Sequence, residues 1–323
     1  MNLALYVSGI VNASLLVILC IGFTFTYIME KFPNFAHTSY ASIGTMVTFF
    51  LVRFHGWDPY RTWPVSMLMG GLLGVVLYLG LVKRIQKRMF TEITLTFTFY
   101  IISQLIVQFI AMFSYWLLIG TGVPSSGFTL YRYDFRWNGI QGIGVVAPIT
   151  VIITMIFLWA FLTKSKYGIA MRATAEDETL AMSLGVNVNM VHVGSWFMSG
   201  ALAALAGSII PMWLSTTGDY SDTLLISVMT GSVLGGLNSI IGAILGGLIV
   251  ATSQKWVTWV LMSTFGSGMG NYEGLIPIIF LFVILAVEPQ GITAVKLRNF
   301  SMNSVKDNLI RLRRSLKNMI TSE

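Results

Sequence analysis

The sequence is a succession of apolar segments, most of them long enough to cross a lipid bilayer. A spanning helix needs roughly 20 predominantly apolar residues, because the hydrocarbon core is about 30 Å thick and backbone polar groups inside it must be hydrogen-bonded within the protein. Only 10% of the residues are charged, whereas about 25% is usual in a soluble domain. The sequence therefore predicts an all-α, polytopic integral membrane helix bundle without a separate catalytic domain.

Nine apolar segments are candidate spans, and eight to ten crossings fit the length of the chain. The segment at residues 222–236 would rise only about 22 Å as a helix, so it is either a short buried crossing or a re-entrant segment. We expect a transmembrane domain over residues 1–295 and a basic amphipathic tail, lying on the inner leaflet, over residues 296–323. The candidate spans are residues 5–29, 38–52, 64–82, 93–118, 145–163, 191–214, 222–236, 239–262 and 274–287.

Positive charge is distributed unevenly between the loops. If the basic cluster at residues 83–88 is cytoplasmic, nine spans place 15 of the 20 lysines and arginines inside, four outside and Lys255 within a span. Cytoplasmic loops retain an excess of basic residues, so this asymmetry predicts a plasma (inner) membrane protein with its N-terminus outside and its C-terminus in the cytoplasm. The net charge of +7 follows from this topology, and we expect membrane lipid, but no nucleic acid, as its partner.

A polar segment at residues 164–190 separates two of the predicted spans. Its central run, residues 169–184, is rich in alanine and contains Glu176 and Asp177, with Gly168 before it and Gly185 after it. Such a composition predicts a short helix outside the bilayer. A loop that only joined two spans could be much shorter, so we interpret this segment as a contact with a soluble partner.

Ionisable residues are scarce inside the predicted spans, since Glu30, Glu92, Glu273 and Glu288 all fall near span ends. Carriers driven by protons or sodium are expected to keep such groups at mid-bilayer depth. The sequence also lacks a GxxxxGK[ST] phosphate loop, and its only cysteine, Cys20, cannot form a disulfide or a cysteine metal site within one chain. We expect no cofactor, no metal and no enzymatic activity, so that an external ATPase would have to supply energy.

Several short motifs share their order and spacing with a known family of membrane proteins. They are NFAH at residues 34–37, RA at 172–173, ED at 176–177, AMSLGVNV at 181–188, SGALAALAG at 199–207, LGGLNSIIGAILGG at 234–247 and EPQGI at 288–292. The loop at residues 164–190 resembles the ATPase-contacting loop of ABC-importer membrane subunits. Together the motifs resemble the permeases of the branched-chain amino acid importer family over most of the chain.

The resemblance implies a set of partners and a substrate. A permease of this family would pair with a second permease, related or identical, with two ATP-binding subunits on the cytoplasmic face and with an extracytoplasmic solute-binding protein. Branched-chain amino acids are the substrate class it favours, while related permeases move urea, short amides or other amino acids. The alternative from another class is an autonomous channel or secondary carrier, which would not need the long polar loop.

The resemblance also assigns roles to individual residues. The ATPase-coupling loop would use Arg172, Glu176, Asp177, Ala181 and Gly185. Asn34 and His37 would line the inner end of the translocation path or brace its gate; alternatively, Asn34 or Thr38 caps a helix and His37 lies in the headgroup layer.

Glycine placement predicts both close helix packing and one helix break. Pairs of small residues four apart, such as Gly70 with Gly74 and Gly200 with Ala204, allow two backbones to approach each other. The glycine-rich run at residues 234–247 predicts a break near Asn238 and Ser239, where backbone groups could coordinate a zwitterionic solute.

Three further features keep two interpretations each. The segment at residues 119–144 is either part of a docking surface for a binding protein or a cap over the bundle with aromatic interface anchors. Asp219 and Asp222 are either a solvated turn with a helix cap or a second docking point. Lys255 is expected to extend its ammonium group towards the interface rather than to contact substrate.

Overall fold

The structure, a computed structural model, describes residues 3–86, 91–137, 139–218, 220–287 and 291–294. Its regular structure is α-helical apart from short 3-10 turns, one π-helical turn at Tyr78–Val82 and a two-residue antiparallel hairpin of β1 (Arg136–Trp137) and β2 (Ile140–Gln141). The helices are α1 (Leu3–Glu30), α2 (His37–His55), α3 (Trp63–Leu77), α4 (Lys83–Gln86), α5 (Glu92–Thr121), α6 (Ile143–Lys164), α7 (Lys166–Glu176), α8 (Glu178–Ser183), α9 (Val188–Trp213), α10 (Tyr220–Gly235), α11 (Ile240–Phe265) and α12 (Leu275–Val287).

Each of the nine candidate spans coincides with a helix, and the all-α membrane fold is confirmed. Six segments in the described part of the chain are long and apolar enough to cross a bilayer: Tyr6–Glu30, Pro59–Ile85, Glu92–Thr121, Ile143–Lys164, Val188–Trp213 and Ile240–Phe265. The remaining three, α2, α10 and α12, are shorter or more polar; the 16 residues of α10 rise about 24 Å. Their crossing stays a prediction. The tail at residues 296–323, Asp219 and the start of the EPQGI motif lie outside the described residues.

The helices α1 and α9 form the centre of the bundle. In the most apolar 18-residue stretch of each of these helices, 78% is buried inside the protein. The corresponding share in α6 is 22%, so α6 lies at the periphery. Small residues allow neighbouring helices to approach α9 closely. A Cβ built on Gly70 of α3 would lie 2.5 Å from the carbonyl oxygen of Gly200, and one on Gly74 would lie 2.3 Å from that of Trp196. The predicted close approach at these glycines is confirmed.

Glycines also allow α10 and α11 to pack closely against each other. A Cβ on Gly242 would lie 2.2 Å from the carbonyl oxygen of Gly235, and one on Gly246 would lie 2.0 Å from that of Gly231. Between the two helices the chain turns over residues 236–239, so the predicted break is confirmed. The hydroxyl of Ser239 caps α11 by accepting a hydrogen bond from the Gly242 N–H at 3.0 Å.

The segment between α5 and α6 folds back over the end of the bundle. The Leu130 N–H donates to the Pro211 carbonyl of α9 at 2.6 Å, and the Asp134 carboxylate accepts from the Tyr60 hydroxyl at 2.6 Å. These bonds favour the interpretation as a cap. The segment is shorter than the sequence predicted at both ends, because α5 continues to Thr121 and α6 begins at Ile143.

Candidate functional site

The polar loop at residues 164–190 contains two helices, α7 and α8, where the sequence predicted one. The backbone of Asp177 is extended, with φ −150° and ψ 106°, and its carboxylate accepts a hydrogen bond from the Leu180 N–H at 2.9 Å. An aspartate in this geometry is a helix N-cap. The single predicted helix was therefore wrong, because the side chain of Asp177 ends α7 and starts α8.

The two glycines that were expected to bracket the helix have different roles. Gly168 lies inside α7, where a Cβ would lie 2.1 Å from the Phe161 carbonyl oxygen, so it permits close contact with the end of α6. Gly185 has φ +85° and follows α8. Its N–H donates to the Met182 carbonyl and the next N–H, of Val186, donates to the Ala181 carbonyl. This is the Schellman arrangement that ends a helix on a left-handed residue.

The coupling residues assigned by resemblance divide into two groups. Arg172, Glu176, Asp177 and Gly185 are exposed, whereas Ala181 is only 1% exposed. The side chain of Ala181 is therefore not exposed to a partner, and a coupling role for the four exposed residues stays a prediction.

Apolar side chains are also exposed on the loop, among them two leucines of the α8 region. Leu180 is 57% exposed and Leu184 is 75% exposed. They stand four residues apart at α8 and its C-cap, which is the spacing of one helix face. Sequence reasoning missed them, although an apolar pair at this spacing in a polar loop was a readable signal.

The loop is held firmly on the bundle. Met171 of α7 is buried in a cluster with Phe25 and Met29 of α1 and Val191 of α9. The hydroxyl of Tyr167 donates a hydrogen bond to the carbonyl of Met190 on α9. The α7 half of the loop thus rests on two central helices, α1 and α9.

A groove of about 950 Å³ lies beside the loop, between α1, α6, α7 and α11. Its walls are mainly apolar, and Lys31, Arg172, Glu176, Asn238 and Ser239 line it. The structure thus brings Asn238 and Ser239 together with two of the coupling-loop residues. Because the Ser239 hydroxyl caps α11, one of its two acceptor lone pairs is used by a backbone donor.

Asn34 and His37 are completely buried. The His37 Nε2 lies 3.1 Å from the Leu19 carbonyl oxygen of α1, and its Nδ1 lies 3.0 Å from the hydroxyl of Ser199 on α9. The amide oxygen of Asn34 accepts from the Ala36 N–H at 3.1 Å. His37 thus joins α1, α2 and α9 in the protein interior, and its ring is shielded from the surroundings of the bundle.

A buried carboxylate was not expected from the sequence. Glu30 is the last residue of α1, as its position near a span end suggested, but its side chain is 0% exposed. Its Oε1 accepts from the Trp196 Nε1–H at 2.8 Å and lies 2.6 Å from Nδ1 of His192. His192 stands 162 residues further along the chain, so no local pattern could have revealed the pair.

Lys255 forms an ion pair within the bundle. Its Nζ lies 2.7 Å from Oε1 of Glu273, just before α12, and both side chains are 29% exposed. The sequence did not reveal this partner, and the extension of Lys255 towards the interface stays a prediction. Within the described ranges, no group of three or more His, Cys, Asp or Glu side chains could hold a metal ion.

Comparison with known proteins agrees with this architecture. The family described as "Branched-chain amino acid transport system / permease component" matches residues 5–286. A probable branched-chain amino acid transport permease protein LivH of Methanocaldococcus jannaschii is 36% identical over 89% of this chain and 91% of the relative. The LivH permease of the high-affinity branched-chain amino acid transport system of Salmonella typhimurium is 25% identical over 88% of this chain and 93% of the relative.

More distant likeness extends to a sugar permease. The ribose import permease protein RbsC of Bacillus subtilis is 30% identical over 46% of this chain and 49% of the relative. No solved structure matches. With a family match over residues 5–286, the chain belongs to the branched-chain amino acid transport permease family.

Proposed function

We propose that this permease is the transmembrane subunit of an ATP-driven importer and takes its energy through the loop at residues 164–190. The observation that carries the proposal is the capped helix α8, which presents Leu180 and Leu184 beside Glu176 and Asp177. A short helix with an apolar face and charged flanks suits insertion into a groove of a soluble protein. An ATP-binding subunit is the partner that the family resemblance implies.

The proposed orientation follows from charge. With nine crossings, the loop, the cluster at residues 83–88 and the tail are all cytoplasmic. One of the two ATP-binding subunits would then contact α8 of this chain from the cytoplasm, the other would contact the second permease, and a solute-binding protein would deliver substrate at the opposite end. The exposed Tyr131 and Tyr133 of the cap lie on that opposite end, near the beginning of α6.

The exposed face of α5 is the surface that we assign to the second permease subunit. Gln108 lies near the middle of this 30-residue helix and is exposed in the single chain. An amide facing hydrocarbon at that depth is costly, because lipid offers no hydrogen-bond partner. A neighbouring permease, or an aqueous path between the two subunits, would supply that partner.

The gate residues take a modified role in this proposal. Asn34 and His37 brace the gate from inside the helix packing, because both are buried and His37 connects α1 and α9. Asn238 and Ser239 stand at the loop end of the bundle beside Arg172, where a rearrangement of α7 would reach them first. A shift of the loop would thus alter the groove that these residues share.

Branched-chain amino acids are the proposed cargo, since the permeases named above carry that designation. Within the same class, permeases for urea, short amides or other amino acids are the alternative. An autonomous channel or secondary carrier is disfavoured, because neither needs a rigidly capped helix outside the bilayer.

Reconstitution tests the proposal. The permease, any paired permease, the ATP-binding subunits and the binding protein are purified from native membranes and placed in vesicles containing ATP. We expect uptake of labelled leucine, isoleucine or valine that requires ATP and the loaded binding protein. Accumulation by the permease alone, driven by an imposed proton or sodium gradient in ATP-free vesicles, would instead establish a secondary carrier.

A further inference from the structure

The pair formed by Glu30 and His192 is unusual because it is buried at the junction between the loop and the bundle. Burying an ionised carboxylate without partners is strongly unfavourable, so such groups persist where hydrogen bonds and opposite charge offset desolvation. Here one oxygen of Glu30 lies 2.8 Å from the donor of Trp196 and 2.6 Å from His192. The Tyr78 ring stacks on the imidazole at 5.7 Å with an interplanar angle of 14°.

The other side of the imidazole faces the coupling loop. Nε2 of His192 lies 3.9 Å from Oε1 of Glu178, the first residue of α8, whose side chain is 56% exposed. His192 therefore stands between a buried carboxylate on α1 and a solvent-facing carboxylate on α8. With Nδ1–H donating to Glu30, a proton on Nε2 gives an imidazolium that attracts both carboxylates at once.

The contacts continue from this pair to α5. The Trp196 indole, which donates to Glu30, packs against the Phe99 ring with a centroid distance of 5.1 Å. Phe99 belongs to α5 and is fully buried. Four side-chain contacts thus connect α8 with α5, the helix that bears the exposed Gln108. They join Glu178 to His192, His192 to Glu30, Glu30 to Trp196 and Trp196 to Phe99.

We propose that His192 is the positioning residue that transmits movement of α8 to α1 and α5, with Glu178 as its contact on the loop and Glu30 as its anchor. This inference rests on the proposed function, because it concerns how the energy of an ATPase would reach the gate. The anchor to Glu30 is buried, whereas Glu178 reaches His192 from the exposed loop at 3.9 Å, so a movement of α8 would change the outer contact first. Packed helix interfaces shift between discrete arrangements, which suits a gate with two states.

The first test needs no transport. Hydrogen exchange of the backbone amides of α8 is measured in the purified permease carrying Glu178→Gln, Glu178→Asp or the control Glu92→Gln. Glu92 is also an exposed glutamate in the first turn of a helix. Loss of the contact should speed exchange in α8 roughly two- to fivefold, as expected for a partly exposed ion pair. Aspartate keeps the charge but is too short, so it should resemble glutamine.

The second test measures coupling in the complete complex. Glu178→Gln and His192→Gln should each lower the leucine taken up per ATP hydrolysed by about fivefold, at the lower end of typical coupling between linked sites. The double variant should lose no more than His192→Gln alone, because that variant already lacks the contact that Glu178→Gln removes. A merely structural role would reduce the amount of assembled complex and leave this ratio unchanged.

The outcomes distinguish the inference from the proposed function. Unchanged exchange in α8 and an unchanged uptake ratio in Glu178→Gln overturn the role of His192, even if the complex imports amino acids. Losses that multiply in the double variant also overturn it, since they show two independent effects. A wild-type complex without ATP-driven uptake contradicts the proposed function itself, whereas the exchange result in α8 stands apart from that outcome.

Discussion

Gly200 of α9 lies against the backbone of Gly70 of α3, so close that a Cβ on Gly200 would lie 2.2 Å from the Gly70 carbonyl oxygen. Gly200→Val should therefore force the two helices apart and destabilise the permease by about 1–3 kcal/mol, the cost of overpacking. Thermal unfolding in detergent measures the effect. Gly80→Val is the matched control, because no atom lies within 4 Å of a Cβ there. Equal stability of the two variants would contradict the close packing.

Gly185 offers the opposite case, since nothing lies within 4 Å of an added Cβ but φ is +85°. Gly185→Val should strain the end of α8 by about 1–2 kcal/mol through the backbone alone, and we expect it to uncouple ATP hydrolysis from uptake. Asparagine tolerates the left-handed region, so Gly185→Asn should retain most of the coupling. Uptake per ATP in the assembled complex is the measurement, and full coupling in the valine variant would disprove the prediction.

Asp177 caps α8 through its hydrogen bond with the Leu180 N–H. Asp177→Ala should cost about 1 kcal/mol, the usual value of an N-cap, and should increase amide exchange in α8 several-fold. Asp177→Asn keeps the cap and should leave exchange nearly unchanged. If alanine and asparagine behave alike, the cap does not determine where α8 begins.

The orientation can be tested with an impermeant thiol reagent. In a variant without Cys20, single cysteines at Leu184 and Ser315 should resist labelling in intact cells, because both are predicted to be cytoplasmic. A cysteine at the exposed Ser126 should label. Leu184 suits the experiment because its side chain is 75% exposed. Labelling of Ser315 from outside would contradict nine crossings and favour a re-entrant α10.

Much of the architecture could be predicted because it depends on local sequence. Long apolar segments must form helices in a bilayer, since only a helix satisfies its own backbone hydrogen bonds there. The break before Ser239 and the position of the polar loop followed from glycines and charges within a few residues. The start of α8 also depends on local sequence, because Asp177 caps the helix directly before its first residue. This cap was not predicted from the sequence.

Contacts between distant segments were decided only by the tertiary structure. Whether His37 met lipid headgroups or the interior depended on Leu19 and Ser199, which belong to other helices. Glu30 could be placed at the end of α1 from the sequence, but its burial and its bond with His192 arise from the packing of α1 against α9. The length of an apolar segment specifies that it forms a helix. Which side chains that helix contacts depends on how closely small residues such as Gly200 allow other helices to approach. A single sequence does not reveal which helices pack against each other.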